Sequence, residues 1–199
     1  MLFVDKNGLV DAERIIIKRF STIERGKLDK VNGVVVHQTG GSTAESSFNS
    51  YKHTGANGAH FLIDKDGTIY QTASVFKVTN HVGNIRSRCY MEKSCTPSEI
   101  ATIKPLLNKY KQLSRVEQKK PYPQRYPANF DSLGIEIVGK PISGEGENAV
   151  YEKVNDAQNK SLQWLIIELS DTLKVPMSEI FRHPEVSYKV KTEAGTARW

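Results

Sequence analysis

The run Val34-Val35-Val36, followed by His37, constrains the fold more than any other stretch of this sequence. It is short, continuous and β-branched, which is the pattern of a strand that is buried on both faces. We therefore predict that it lies inside a sheet whose two faces are covered. No apolar run approaches the roughly 20 residues that a membrane-spanning helix needs, so we predict no stable insertion into a membrane.

Further strands and helices alternate along the chain. Residues 133–139 alternate in period two, which predicts a strand. Residues 59–63 and 68–71 predict two strands that are joined by a hairpin turn over Asp64-Lys65-Asp66-Gly67. A stripe of apolar side chains at helical spacing predicts a helix from about Asn155 to Leu173. This alternation indicates an α/β fold: a single domain with a central mixed β-sheet flanked by helices.

Two more helices are predicted with weaker signals. One begins after Ser42 or Thr43, either of which is a suitable N-cap. The other begins at Ser98 and runs to about Leu113, although Pro105 would kink or divide it.

The length of 199 residues allows one well-buried domain and is short for two. We assign residues 31–199 to this domain and residues 1–30 to an N-terminal extension that packs on it. Residues 90–128 are irregular and rich in proline. We expect a helix-loop segment at about these bounds, and its length indicates an insertion into the domain.

Chemistry-bearing residues cluster near the C-terminus. His183, Lys191 and Glu193 lie on one short irregular segment, and His37 ends the predicted buried strand. Catalytic zinc typically takes three protein ligands from nitrogen, sulfur or carboxylate oxygen. We predict that His37, His183 and Glu193 bind Zn²⁺.

Hydrolysis at such a centre also needs a proton carrier and a group that stabilises the oxyanion. Glu136, in the predicted strand 133–139, is the candidate base and acid, and Lys191 is the candidate cation. Each residue has a simpler explanation when it is taken alone. A histidine after a buried strand is more often packed and hydrogen-bonded than a ligand, Glu136 could point to solvent, and the tail charges could lie on the surface.

Considered together, five blocks give a more specific signal. In chain order they are Val-Val-Val-His37-Gln-Thr, Ala59-His60-Phe-Leu-Ile-Asp-Lys-Asp-Gly67-Thr-Ile-Tyr-Gln, His81-Val-Gly83, Leu-Gly134-Ile-Glu136-Ile-Val-Gly and His183-Pro-Glu-Val-Ser…Lys191-Thr-Glu193-Ala-Gly. Over residues 31–199 the chain resembles the N-acetylmuramoyl-L-alanine amidase type 2 family. The resemblance implies a zinc enzyme that cleaves the amide between the lactyl group of N-acetylmuramic acid and L-alanine of the peptidoglycan stem peptide.

The resemblance is greatest to the branch that recycles cell-wall fragments. In that branch two histidines and an aspartate bind zinc, a glutamate on a Gly-Ile-Glu strand is catalytic, and a lysine lies two residues before the aspartate. His37, His183, Glu193, Glu136 and Lys191 match these positions, although Glu193 stands where the family usually has Asp or Cys. Ala59 also resembles this branch, since phage relatives carry a catalytic tyrosine there. We add Ala59, His81 and Asn129 as candidates for contact with substrate.

The remaining signals concern partners and location. The net charge of +6 fits an anionic partner. The sequence has no nucleic-acid recognition motif, and the polyanionic bacterial cell wall is the better match. Cys89 and Cys95 are either reduced thiols or a short disulfide, which would indicate an oxidising compartment. Zinc binding by the two thiolates is the least favoured alternative, because their spacing is wider than usual.

The first residues do not form a Sec signal. We therefore predict a monomeric antibacterial effector or lysin that is exported by a non-Sec route, acts on peptidoglycan or muropeptides, and works with an immunity protein or secretion machinery. The alternatives are a cytoplasmic muropeptide-recycling amidase and a non-catalytic peptidoglycan-binding module.

Overall fold

The computed structural model describes all residues from Met1 to Trp199. In chain order the strands are β1 (Phe3–Val4), β2 (Val10–Asp11), β3 (Ile15–Ile17), β4 (Glu24–Lys27), β5 (Gly33–Gln38), β6 (Phe61–Ile63), β7 (Ile69–Gln71), β8 (Lys77–Thr79), β9 (Ser132–Ile137), β10 (Pro141–Ser143), β11 (Val150–Tyr151) and β12 (Ile180–Arg182). The α-helices are α1 (Ala44–Tyr51), α2 (Arg88–Met91), α3 (Pro97–Ile103), α4 (Tyr110–Glu117), α5 (Asp156–Leu173) and α6 (His183–Val186). None of the helices is both long enough and apolar enough to cross a membrane.

A six-stranded mixed sheet forms the centre of the molecule, in the order β12-β5-β9-β6-β7-β3. All neighbouring strands are parallel except β6 and β7, which form the predicted antiparallel hairpin around residues 64–67. The first 30 residues contribute β3, which pairs in parallel with β7 at one edge of the sheet. The predicted class, a single α/β domain with a central mixed sheet, is confirmed.

The two faces of this sheet carry different side chains, because successive residues of a strand point to opposite faces. On one face, Val34 and Val36 of β5 and Leu133, Ile135 and Ile137 of β9 belong to the main hydrophobic core. The opposite face of the same strands carries the residues that alternate with them, which include Val35, His37, Gly134 and Glu136. The functional side chains are therefore separated from the main core by the sheet itself.

Helix α5 covers the core face, and the prediction for residues 155–173 is confirmed. Asn155 caps it in a reciprocal capping box with Gln158, and Lys174 ends it in a left-handed conformation. Its buried stripe comprises Leu162, Leu165, Ile166 and Leu169. Burying one such side chain contributes roughly 1.5–3 kcal/mol, so this stripe is a major part of the stability of the core.

Helix α1 lies on the opposite face. Thr43 caps it by accepting a hydrogen bond from the Ser46 amide, which agrees with the predicted start. Its Phe48 and Tyr51 pack against Leu62 of β6 in a smaller cluster. This helix borders the functional face without covering it.

Residues 90–128 differ from the sequence prediction in their helices. Instead of one helix from 98 to about 113, α3 ends at Ile103, a 3-10 turn covers Lys104–Leu106, and α4 starts at Tyr110. Pro105 is the physical cause, because it has no amide hydrogen and its ring collides with the preceding turn.

Of the states that the sequence left open for the cysteines, the structure adopts the disulfide between Cys89 and Cys95. It packs beside Ile103 and Leu113 in a small hydrophobic cluster. Helix α4 also reaches the C-terminal tail, where the rings of Tyr110 and Tyr188 stack with centroids 4.1 Å apart.

Candidate metal centre

Parallel pairing of β5 and β9 brings two of the predicted site residues together. His37 and Glu136 are direct partners in the register of these strands, near their C-terminal ends. Because partners in register project from the same face, both side chains lie on the face opposite α5.

The edge strand β12 delivers the second histidine. It runs parallel to β5 with Arg182 opposite Val36, so the chain leaves the sheet at His183, next to His37. The ring centroids of His37 and His183 are 4.2 Å apart. The His183 ring is fixed from behind, since its Nε2 lies 2.9 Å from the Val82 carbonyl oxygen.

Glu193 reaches the site from a turn that is fastened on both sides. The Thr192 hydroxyl donates to the Ala149 carbonyl at 2.8 Å, and the Ala194 amide donates to Gln38 Oε1 at 2.8 Å. Ala194 has a φ of 53°, a left-handed conformation that costs an L-residue about 1–2 kcal/mol. These contacts hold the Glu193 carboxylate against the two imidazoles.

The three side chains form a compact set of ligand atoms. One nitrogen or carboxylate oxygen from each of His37, His183 and Glu193 lies within 4.8 Å of the others, and all three residues are buried. Glu193 Oε1 is 2.8 Å from His183 Nδ1 and 3.6 Å from His37 Nδ1.

Hydrogen bonding decides whether this set fits a metal ion. A carbonyl oxygen can only accept, so Val82 assigns the proton of neutral His183 to Nε2 and leaves Nδ1 as a bare lone pair. Burial, with the charge of His183 next, lowers the pKa of His37 to about 4, so this imidazole is neutral at pH 7. A bare nitrogen of His183 thus faces the Glu193 carboxylate beside the neutral His37 ring, an arrangement that a cation stabilises. Nitrogen and carboxylate oxygen are ligands that zinc accepts, and the residues fit that ion.

The two carboxylates in the site have opposite pKa shifts. Burial would raise the pKa of Glu193, but the two imidazoles of His183 and His37 in contact with its carboxylate outweigh this effect and lower the pKa to about 2. Burial raises the pKa of Glu136 to about 8, and the negative charge of Glu193 adds to this rise. Glu136 Oε2 is buried with no hydrogen-bond partner. Glu193 is therefore suited to binding a cation, and Glu136 to exchanging a proton near neutral pH.

A groove with a volume of about 830 Å³ runs over this cluster. Only three of its 21 lining residues are hydrophobic, so it suits a polar ligand better than an apolar one. Serines of α1 (Ser46, Ser47 and Ser50) line one side, and Tyr151 belongs to the same lining.

The structure does not bring Lys191 into this groove. The chain enters a turn at Lys191 that directs Glu193 inward, and the Lys191 side chain stays exposed in solvent. Lys189 is the lysine that lines the groove, and it is the only lysine or arginine to do so. Its charge acts on the site, because it lowers the pKa of Glu136 against the effect of burial.

The candidates for substrate contact also differ in their placement. Ala59 is fully buried and does not line the groove, because it packs beneath β9 next to Gly134. Asn129 lines the groove, but its Oδ1 accepts the backbone amides of His81 and Val82 at 3.0 and 2.7 Å. His81 lines it as well, and its Nδ1 lies 3.0 Å from His37 Nε2.

Sequence reasoning missed three residues that shape the site. They are Gln38, which holds the Glu193 turn; Lys189, which lines the groove; and Ser132, which contacts His81 at 3.2 Å. Gln38 follows His37 directly, so a polar residue at the end of a buried strand was a usable signal. The motif match favoured Lys191 over Lys189, and nothing in the sequence marked Ser132.

Comparisons with known proteins give a family and a shared fold. The family model described as N-acetylmuramoyl-L-alanine amidase matches residues 27–196. No curated protein sequence matches the chain.

Solved structures share the fold at low sequence identity. A selenomethionine derivative of AmpD is 16% identical, with a TM-score of 0.54 over 94% of this chain and 89% of that one. PlyL is 13% identical, with a TM-score of 0.54 over 88% and 84%. The N-acetylmuramoyl-L-alanine amidase LysC from Clostridium intestinale URNW is 17% identical, with a TM-score of 0.50 over 89% and 87%.

Proposed function

Because this chain belongs to the N-acetylmuramoyl-L-alanine amidase family, we propose that it hydrolyses the amide between the lactyl group of N-acetylmuramic acid and L-alanine of the stem peptide, with zinc as cofactor. The observation that carries the proposal is the set of three acceptor side chains, His37, His183 and Glu193, within 4.8 Å of one another. Zinc held there would supply Lewis acidity toward the scissile carbonyl and the attacking water. We assign the catalytic unit to residues 31–199, with residues 1–30 extending its sheet.

Glu136 is the proton carrier in this proposal. Its carboxylate takes a proton from the water molecule as the water oxygen bonds to the carbonyl carbon, and the carbonyl π electrons move to oxygen. The same carboxyl then gives the proton to the alanine nitrogen as the carbon–nitrogen bond breaks. In the metal-free protein burial raises the pKa of Glu136 to about 8; a zinc ion held nearby would lower this pKa and favour the carboxylate that the first step needs.

Lys189 takes the place that the sequence gave to Lys191. It is the only cationic side chain in the groove lining, and a fixed positive charge stabilises the negative oxygen that develops during attack. The polar groove, with serines on one side, offers hydrogen-bonding groups to sugar and peptide.

We propose that the enzyme acts on cell wall outside the cytoplasm in which it is made, as an exported effector or a lysin. The Cys89–Cys95 disulfide supports this location, because disulfides persist in oxidising compartments. The net charge of +6 favours binding to an anionic wall. Secretion machinery and an immunity protein are the partners that an effector would need.

The test uses purified protein with intact sacculi and with soluble muropeptides, each with zinc and with a chelator. We expect release of new amino termini from sacculi, loss of this activity on chelation, and recovery on adding zinc. Cleavage of soluble muropeptides alone would favour a recycling enzyme. No release from either substrate by zinc-loaded protein would refute the amidase proposal.

A matched variant separates catalysis from metal binding. Glu136→Gln keeps the size of the side chain and removes its ability to take a proton, so it should bind zinc stoichiometrically and lose turnover. Loss of zinc from this variant would contradict the role given to Glu136.

A further inference from the structure

A series of hydrogen bonds leads away from the metal centre behind His37. His37 Nε2 lies 3.0 Å from His81 Nδ1, and His81 Nε2 lies 3.2 Å from Ser132 Oγ. Ser132 Oγ lies 2.6 Å from the Ala128 carbonyl oxygen. His37, Ser132 and Ala128 are each at most 2% exposed, whereas His81 between them is partly exposed and lines the groove.

The donor and the acceptor of each hydrogen bond in this series follow from the Ala128 carbonyl at its end. The Ala128 carbonyl can only accept, so the Ser132 hydroxyl donates to it and offers a lone pair to His81. Neutral His81 then carries its proton on Nε2 and presents a bare Nδ1. This Nδ1 accepts the Nε2 proton of His37, which leaves His37 Nδ1 as a lone pair on the side of Glu193.

The residue that follows His81 orients the ring of His183. The backbone carbonyl of Val82 accepts from His183 Nε2 at 2.9 Å, just as the side chain of His81 accepts from His37. The backbone amides of His81 and Val82 both donate to Asn129 Oδ1. These two neighbouring residues therefore give His37 and His183 the same tautomer.

A glycine makes the space for this arrangement. A Cβ built on Gly134 would lie 2.8 Å from both Cγ and Nδ1 of His81, closer than real contacts allow. The His81 ring thus rests directly on the backbone of β9, two residues before Glu136. Any side chain at Gly134 would displace the ring from His37.

These contacts leave His81 no free nitrogen for a substrate. Its Nδ1 is occupied by His37 and its Nε2 by Ser132. His60, the next buried histidine, is different: it serves the backbone, with Nε2 on the Lys77 carbonyl and Nδ1 on the Gly134 amide. His81 alone connects a candidate ligand to a fixed acceptor.

We propose that His81, with Ser132 behind it, is a positioning residue that locks His37 in the Nε2-protonated tautomer and so presents Nδ1 to the metal ion. The inference rests on the proposed zinc site. Partners of this kind that orient a ligating imidazole typically change metal affinity by about 10- to 100-fold when they are removed.

The experiment measures zinc affinity by competition with a chromophoric chelator, in wild type, His81→Phe and His81→Asn. Phenylalanine keeps a ring on Gly134 without an acceptor, so we expect affinity to fall by roughly 10- to 100-fold. Asparagine restores an acceptor oxygen near the position of Nδ1, so we expect part of the affinity to return. Far-ultraviolet circular dichroism checks that each variant is folded.

A second measurement needs no variant of the loop. Nitrogen-15 NMR of the histidine rings in metal-free wild type should find His37 protonated on Nε2, with His37→Ala to assign its signals. An Nδ1-protonated His37, or unchanged zinc affinity in folded His81→Phe, would overturn the inference while leaving the zinc site intact. Wild type that binds no stoichiometric zinc would instead refute the metal centre, and this inference with it.

Discussion

Replacing Glu136 with Gln should remove a pH-dependent loss of stability from the metal-free protein. In the folded chain this carboxyl keeps its proton up to about pH 8, whereas its ordinary pKa is 4.5. Between these values the unfolded chain binds fewer protons than the folded one, so the free energy of unfolding falls as pH rises. The contribution is fully present below 4.5 and is lost as pH rises through 8. Glutamine has no proton to exchange and should not produce this slope.

The magnitude follows from the two pKa values. Each unit between them corresponds to about 1.4 kcal/mol, so linkage assigns Glu136 a loss of about 4 kcal/mol between pH 5 and pH 9. Most of it arises from burial of an ionised carboxylate whose Oε2 has no partner. The rest comes from repulsion by the negative charge of Glu193.

Urea unfolding followed by tryptophan fluorescence measures this difference. Both proteins are kept in chelator, and midpoints are collected at each pH unit from 5 to 9. Glu147→Gln is the matched control, because it removes the same charge from an exposed side chain. The free energy of unfolding could instead fall between pH 5 and pH 9 by the same amount in wild type and Glu136→Gln, to within about 1 kcal/mol. That result would show that ionising Glu136 costs no stability, and it would refute the reasoning.

Three other perturbations test the site and its support. His183→Ala should lower zinc affinity by at least about 100-fold, more than loss of an outer partner costs; metal analysis after dialysis measures this, and stoichiometric zinc would contradict ligation. Lys189→Met should reduce kcat by about 10- to 100-fold, whereas Lys191→Met should leave it within about twofold; the reverse order in a muropeptide assay would restore the sequence-based assignment. The double replacement of Cys89 and Cys95 by alanine should lower the free energy of unfolding by about 2 kcal/mol, given the short loop that the disulfide closes; equal urea midpoints for the oxidised wild type and the variant would exclude this contribution.

Local sequence rules predicted the elements that carry their own signals. Helix α5 has a complete apolar stripe, a capping box at Asn155 and a stop before Pro176, and its boundaries agree to within a residue. The hairpin around 64–67 followed from turn chemistry alone. The three predicted ligands do lie together, although this came from ordered motifs and not from any single pattern.

The features that escaped prediction depend on contacts between distant parts of the chain. β3 joins the sheet because it pairs with the edge strand β7. The three isoleucines of β3 do not indicate which strand they pair with. Which of Lys189 and Lys191 lines the groove depends on how the tail turns after Tyr188, which stacks on Tyr110 of α4. The role proposed for His81 depends on a serine 51 residues away. Residue spacing contains none of this information.

Along β5 and β9, alternate side chains face the hydrophobic core and the candidate site. The register of these strands therefore determines the placement of both sets of side chains. A slip of a single residue in β5 would place His37 under α5 and turn Val36 toward the groove; the same slip in β9 would exchange Glu136 with Ile135. Such an error would unfold the protein before it could produce a folded but inactive enzyme. Selection for a stable domain therefore also protects the alignment of the proposed catalytic groups, and insertions or deletions should be tolerated only outside these two strands.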